Sequence, residues 1–443
     1  MLTQKGQEET QSNTQKGLQL IRKGQILWTI AICSLVVAVA VFIFLGYYFG
    51  WKWTGFPPKK LFDWMQILVI PVAVAIGTFI LNRAAKSRDD AAQQKQRKHE
   101  EAIVVRREEE ADVQGYLDNI SQLLTDPERP LRRSHLGHPL SIVARTRTLT
   151  VLGKVQDGER KGRALKFLNT VGLISGNRPV ISLQGANLQG ANLREADLRI
   201  ANFQGVNLQG AYLQGAYLQR AYLQRANLQR ANLDEADLRI ANLQKAHSPD
   251  ANFPQADLRA ADLHQANLQK ASFVDANLQA ANLKGAKLFD VDLTGANLQG
   301  ANLKGAILVG ADLQKAILDE ADLREVILYG ANLQEANLTG AYLQGAMLLY
   351  PTELSRANLQ GADLQGANLQ GANLKGAILY GAILYGAYLR GAILQKANLE
   401  GAKVTDVQLA ETLSLQGATM PDGKKYEGWL KGKEGSRKDD ENE

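Results

Sequence analysis

Five histidines, His99, His135, His138, His247 and His264, and one cysteine, Cys33, are the whole supply of imidazole and thiol groups in the 443 residues. His135 and His138 stand three apart, close enough for a two-histidine metal pair. They lie, however, in a segment broken by Pro127, Pro130 and Pro139, with no cysteine near to complete a tetrahedral set. Cys33 sits inside an apolar run and has no second thiol to pair with, so it reads as a small buried residue and the fold needs no oxidising compartment. Carboxylates are plentiful but follow a five-residue pattern, so a pair of them is no sign of acid–base chemistry. No glycine-rich phosphate loop lies between a strand and a helix. Catalysis needs a nucleophile, a base or a metal cluster that converges. The sequence therefore predicts no enzyme, no catalytic, metal or cofactor-binding residue, and no cofactor.

The five-residue pattern is the element that positions most of the chain. From Leu183 it runs as Ala, then Asn or Asp, then Leu, then two mostly polar residues. Leu or Phe holds the centre at every fifth position to Leu348, failing only at Ser248. One extra residue enters near Tyr350-Pro351, and the pattern resumes from Leu354 to Leu409, giving 46 pentads. A period of five fits neither an amphipathic helix nor a plain strand. Self-similarity of this kind marks a solenoid whose units bury their apolar face only against neighbours.

The strings Ala186-Asn187-Leu188-Gln189-Gly190 and Ala296-Asn297-Leu298-Gln299-Gly300 resemble the pentapeptide-repeat family. The resemblance implies an all-β, right-handed, four-sided β-helix with four pentads per coil, the central Leu and the preceding Ala pointing inward. At a coil spacing of about 4.8 Å, some eleven coils would make a solenoid on the order of 50–55 Å long. The string Ala418-Thr419-Met420-Pro421-Asp422-Gly423 resembles the way many such repeats end. Some members of the family imitate DNA and protect topoisomerases, a role that needs a strongly negative surface. Here 19 Lys/Arg stand against 21 Asp/Glu between Leu183 and Leu409, while the whole chain is +6, so the basic excess lies outside the repeats. Neither DNA mimicry nor nucleic-acid binding is expected.

The first part of the chain reads differently. Ile26 to Phe49 is free of charge, follows Arg22 and Lys23 and precedes Trp51 and Trp53, the signature of a membrane span. Trp64 to Leu81, with Pro71 inside it, reads as a second span, and the charges favour both ends on the cytoplasmic side. A polar, proline-free helix follows, with Val113, Leu117, Ile120 and Leu124 on one stripe, then two short helices, Leu140–Val155 and Glu159–Val171, the second capped by Asp157. The strings Tyr116-Leu-Asp-Asn-Ile-Ser, Ala144-Arg-Thr-Arg-Thr-Leu-Thr and Ala164-Leu-Lys-Phe-Leu resemble the stalk of bacterial membrane-anchored members. The expected fold is thus a pentapeptide-repeat β-helix preceded by two transmembrane helices and an α-helical stalk. Its divisions are an N-terminal cytoplasmic tail (1–25), spans at 26–49 and 64–81 joined by a loop (50–63), a stalk (82–125), a small helical region and linker (126–180), the solenoid (181–412), and a C-terminal cap with a charged tail (413–443).

Residues 20 apart stack on one wall if four pentads make a coil. One such wall then gathers Phe289, Ile307, Val309, Ile327, Tyr329, Met347 and Leu349 where the pattern elsewhere is polar. Two uses of this wall are open at this point: a face for a protein partner or a second copy, or a surface covered by the insertion near Pro351 or by the tail. Nearer the end, Ile378, Tyr380, Ile383, Tyr385, Tyr388 and Ile393 break the polar rule again and suggest a C-terminal dimer contact, since a solenoid's last coil exposes strand edges. The function expected is a membrane-tethered, non-enzymatic interaction scaffold with its repeats in the cytoplasm; the alternative is a self-assembling homo-oligomer without a client.

Overall fold

A computed structural model of the chain describes residues 41, 44, 45, 48, 70–128, 131–175 and 179–427. The chain divides into two compact units, 1–101 and 102–443. Helix α1 runs Ile70–Thr125. Its described apolar part, Ile70 to Leu81, covers about 18 Å at 1.5 Å per residue before Arg83, Lys86 and Arg88 follow. Among the described residues no helix is long and apolar enough to cross a membrane. That finding overturns the two transmembrane helices expected at 26–49 and 64–81, and with them the integral-membrane, cytoplasm-facing placement. Most of 26–49, and residues 64–69, lie outside the described residues.

The second unit is dominated by the solenoid. Parallel β-bridges join residues 20 apart in four columns: Asn187↔Asn207, Asn192↔Tyr212, Asp197↔Tyr217 and Asn202↔Tyr222 begin walls 1, 2, 3 and 4. Each wall contributes one bridged residue per coil rather than an extended strand. Hydrogen bonds explain this economy. Leu188 N–H donates to the Asn207 carbonyl (2.7 Å), Asn207 N–H donates to the Ala186 carbonyl (3.0 Å), and Ala191 N–H closes the corner on the Leu188 carbonyl (3.0 Å). Asn at the bridged position completes the unit, because its Oδ1 accepts the N–H two residues on, as from Gln189 to Asn187 (3.1 Å). The alternating Ala and Leu side chains fill the interior and are buried throughout the coils.

Departures from the pattern are absorbed locally. The inserted residue at Tyr350-Pro351, a cis bond, lengthens one corner, and the ladders continue at 21-residue steps such as Asn332↔Glu353. Ser248 replaces the central Leu; its buried hydroxyl has no hydrogen-bond partner among the described residues. In the next pentad Phe253 stacks on Phe273, ring centroids 4.6 Å apart and nearly parallel. Leu409, expected as the last pentad centre, instead lies on helix α4, Asp406–Ala410, which Thr405 and Gln408 open with a capping box.

Corner residues take left-handed φ values, which suits glycine but is imposed on many other residues, including the β-branched Ile200 (φ 60°) and Ile240 (φ 58°). The left-handed conformation costs a residue with a Cβ about 1–2 kcal/mol, and the larger unfolded freedom of glycine takes back about 0.5–1 kcal/mol. Ile240 is 60% exposed and has little packing to lose. Ile240→Gly is therefore expected to stabilise the protein by about 1 kcal/mol, read as a higher denaturant midpoint at unchanged slope; a lower midpoint would show that Ile240 carries packing the geometry does not reveal.

The first coil has no coil before it, and helices supply what is missing. Helix α2 is Pro139–Lys154 and helix α3 is Gly158–Thr170. Asp157 caps α3, its carboxylate accepting the Arg160 N–H (3.0 Å). Along α3, Lys161 Nζ donates to the Gln189 carbonyl (3.1 Å), Lys166 Nζ to the Arg194 carbonyl (3.1 Å), and Asn169 to the Asp197 carbonyl. Asn192 N–H is taken by the Gly158 carbonyl (2.8 Å). From α2, Arg145 reaches the Gln184 carbonyl (2.9 Å) and Ser141 the Val180 carbonyl (2.5 Å). Side chains thus stand in for the absent coil and remove an open strand edge. Burial pulls the Lys161 amine below its usual range. Arg163 holds the Glu110 carboxyl below its usual range, and Arg160 adds to this, tying α1 to α3. Val113, Tyr116 and Ile120 of α1 are buried in the same cluster, and burial raises the Tyr116 phenol, which bonds to Thr148 (2.8 Å).

Candidate functional site

Wall 1 begins as an amide ladder. Asn227 donates to Asn207 (3.1 Å), Asn207 to Asn187 (3.5 Å), and Asn267 meets His247 (3.4 Å), so each polar side chain finds its stacked neighbour. The ladder then changes character through Lys287↔Ile307, Ile307↔Ile327 and Ile327↔Met347. The residue two beyond each bridge makes a second row of Phe289, Val309, Tyr329 and Leu349. All seven therefore share wall 1. Tyr329 is 49% and Met347 47% exposed, and the other five are half-buried. This stretch also gives up a bond: Ile307, Ile327 and Met347 have no side-chain oxygen to accept the N–H two residues on, as Asn does elsewhere. The local rule is thus broken at consecutive coils of one wall without a gain in burial.

The corners beside this stretch differ: a Cβ at Gly305 or Gly345 would meet nothing within 4 Å, whereas the Asp290 carboxylate lies over Gly310. Gly305 and Gly345 flank it on one side, and Gly310 and Gly330 on the other. Glu325, the corner residue between Gly305 and Gly345, is paired with Lys304 of wall 4 (3.2 Å) and so is drawn towards that wall. Tyr350, 70% exposed at the inserted corner, extends the patch.

The six residues named near the end do not form one patch. Ladders place Tyr388 on wall 1, Ile393 on wall 2, Ile378 on wall 3 and Ile383 on wall 4; Tyr380 and Tyr385 are the residues two beyond Ile378 and Ile383. They ring one coil, and only Tyr388 shares a wall with the seven. The strand edge below is partly covered: Gln408 donates to the Leu384 and Ala387 carbonyls (2.6 and 2.8 Å), and a closing turn pairs Tyr426 N–H with the Ala418 carbonyl (2.9 Å). Sequence reasoning passed over a second aromatic ring, Tyr212, Tyr217 and Tyr222, 45–50% exposed on walls 2, 3 and 4. Its signal was available in three successive pentads with Tyr in place of Asn.

Charge does not single out another site. On wall 3, Arg239 pairs with Asp237 (2.6 Å) and lies 3.7 Å from Asp257, which pairs with Arg259 (2.6 Å), so opposite charges neutralise one another. Arg199 holds the Asp197 carboxyl below its usual range. His138 caps α2, its Nδ1 accepting the Leu140 N–H (3.3 Å), and its ring lies 5.8 Å from that of His135. Among the described residues no group of three or more His, Cys, Asp or Glu side chains could hold a metal ion.

The family described as pentapeptide repeats matches residues 181–239, 306–345 and 352–412 in overlapping segments, and a pentapeptide repeat region matches 246–323. No curated protein matches the chain. Among solved structures, the chain is 33% identical to HetL, a pentapeptide repeat protein involved in heterocyst differentiation regulation from the cyanobacterium Nostoc sp. strain PCC 7120, over 60% of this chain and 98% of that one (TM-score 0.27). It is 18% identical to QnrB1, a plasmid-mediated fluoroquinolone resistance protein, over 45% and 96% of the two chains (TM-score 0.30). A pentapeptide repeat protein of the Arabidopsis thaliana thylakoid lumen is 28% identical over 30% and 72% (TM-score 0.17). The family matches cover most of the laddered coils, and the chain belongs to the pentapeptide-repeat family.

Proposed function

We propose that this protein is a non-enzymatic interaction scaffold whose wall 1, between Phe289 and Leu349, docks a protein partner. The observation that carries the reading is the continuous apolar column Ile307↔Ile327↔Met347 with its flanking row, successive coils of one wall, where the exposed apolar residues of the other walls ring single coils or stand alone. Apolar side chains exposed singly need no explanation, whereas a contiguous set does. The test is affinity purification of the full chain from its native cells beside a variant carrying Phe289→Ser, Ile307→Asn, Ile327→Asn and Met347→Asn. The interior Leu and Ala are untouched, so circular dichroism should be unchanged. A defined partner is expected with the parent chain and at least tenfold less with the variant. If both forms bring down only their own copies, the homo-oligomer reading replaces this one.

A further inference from the structure

The two rows on wall 1 define more than a sticky surface, and, building on the docking reading above, we infer that their occupant is a single amphipathic α-helix of a partner protein, laid along the solenoid axis. The rows run in parallel. Ile307, Ile327 and Met347 form one, and Phe289, Val309, Tyr329 and Leu349 the other. Within each coil one inward-pointing residue separates the two rows. Between them the central residues Leu308, Leu328 and Leu348 point inward and are buried, so the floor of the trough is backbone.

Spacing along the trough selects the partner's conformation. Coils repeat at about 4.8 Å, so four side chains of one row span about 14 Å. Four successive turns of a helix present apolar residues over about 16 Å, a drift of about 2 Å that side-chain rotamers absorb. An extended segment placing alternate residues in the same four positions spans about 20 Å and falls out of register by more than one coil. Helix in groove is the mode that matches.

Size points the same way. Two residues near half exposure and five less exposed leave on the order of 450 Å² accessible, within the range of a functional patch and about half of the ~800 Å² per partner that a standard stable interface buries. A second copy of this wall, face to face, falls short of a stable dimer on that area, whereas one stripe of a short helix is filled by it. The glycine corners at Gly305 and Gly345, where a Cβ would meet nothing within 4 Å, leave that side of the trough open to a cylinder wider than the wall.

The experiment places a photoreactive benzoylphenylalanine at Tyr329 of the full chain, cross-links in native cells, and maps the captured segment. A segment with apolar residues at i, i+3 or i+4, and i+7 is expected, and a proline placed at its centre should reduce cross-linking at least tenfold. A captured segment with alternating periodicity, one that tolerates the proline, or a second copy of this chain overturns the helix while leaving wall 1 a docking surface. Absence of any cross-link at Tyr329, with capture retained from a probe on Tyr217 of wall 3, overturns the docking reading as well.

Discussion

Gly162→Ala is expected to destabilise the protein by about 3 kcal/mol, at the upper end of what overpacking costs. A Cβ at position 162 would fall inside van der Waals contact of the Asn192 carbonyl oxygen and 2.9 Å from its carbon, both backbone atoms of the first coil. Gly158 faces the Gly190 carbonyl in the same way. No flexible side chain can give way, so α3 must lift from the coil, and Lys161, Lys166 and Asn169 lose the carbonyls they serve. Gly153 of α2 is the internal control, since a Cβ there meets nothing within 4 Å. Gly153→Ala should stabilise by about 1 kcal/mol through helix propensity alone. Denaturant unfolding of both variants, with hydrogen exchange at Asn192, checks the pair. Equal and small effects would mean that α3 does not close the first coil.

Phe273→Ala should cost about 4 kcal/mol, as large-to-small changes at buried aromatics do. Phe273 is fully buried and stacked on Phe253, so truncation leaves one ring of the pair without its partner face. Phe273→Leu restores the residue used at most other centres and should cost under about 1.5 kcal/mol. Calorimetric unfolding of the two variants separates a specific aromatic stack from mere volume. If Leu costs as much as Ala, the stack itself carries the stability. If neither costs more than a surface change, the interior at that coil collapses around the loss.

Much of this was legible from residue order alone. The pentads' resemblance to a known repeat family implied four per coil, and counting in twenties then placed Ile307, Ile327 and Met347 in the column the ladders show. The same arithmetic would have distributed Ile378, Ile383, Tyr388 and Ile393 over four walls. Grouping them by proximity along the chain hid that. Leu409 misled because its burial is the same on a helix as in a coil; the Thr405-x-x-Gln408 box was the signal that the conformation changes. The α3 cap was harder to see. Gly158 and Gly162 stand one helical turn apart, which marks close backbone approach, but which backbone approaches is set by the tertiary fold. The membrane reading rested on apolar run length with basic and tryptophan flanks such as Arg22, Lys23, Trp51 and Trp53. Among the described residues no helix is long and apolar enough to cross a membrane, and in α1 charged residues begin at Arg83.

The central claim is that wall 1, and not apolar exposure in general, holds the partner. The most direct measurement is the affinity of the captured partner for three forms of the full chain: the parent, the wall 1 variant, and a matched variant with Ile317→Asn, Tyr342→Gln, Ile378→Asn and Ile383→Asn on walls 3 and 4. The account predicts at least a tenfold weaker affinity for the wall 1 variant and parental affinity for the matched one. Equal weakening of both, or of neither, would contradict it.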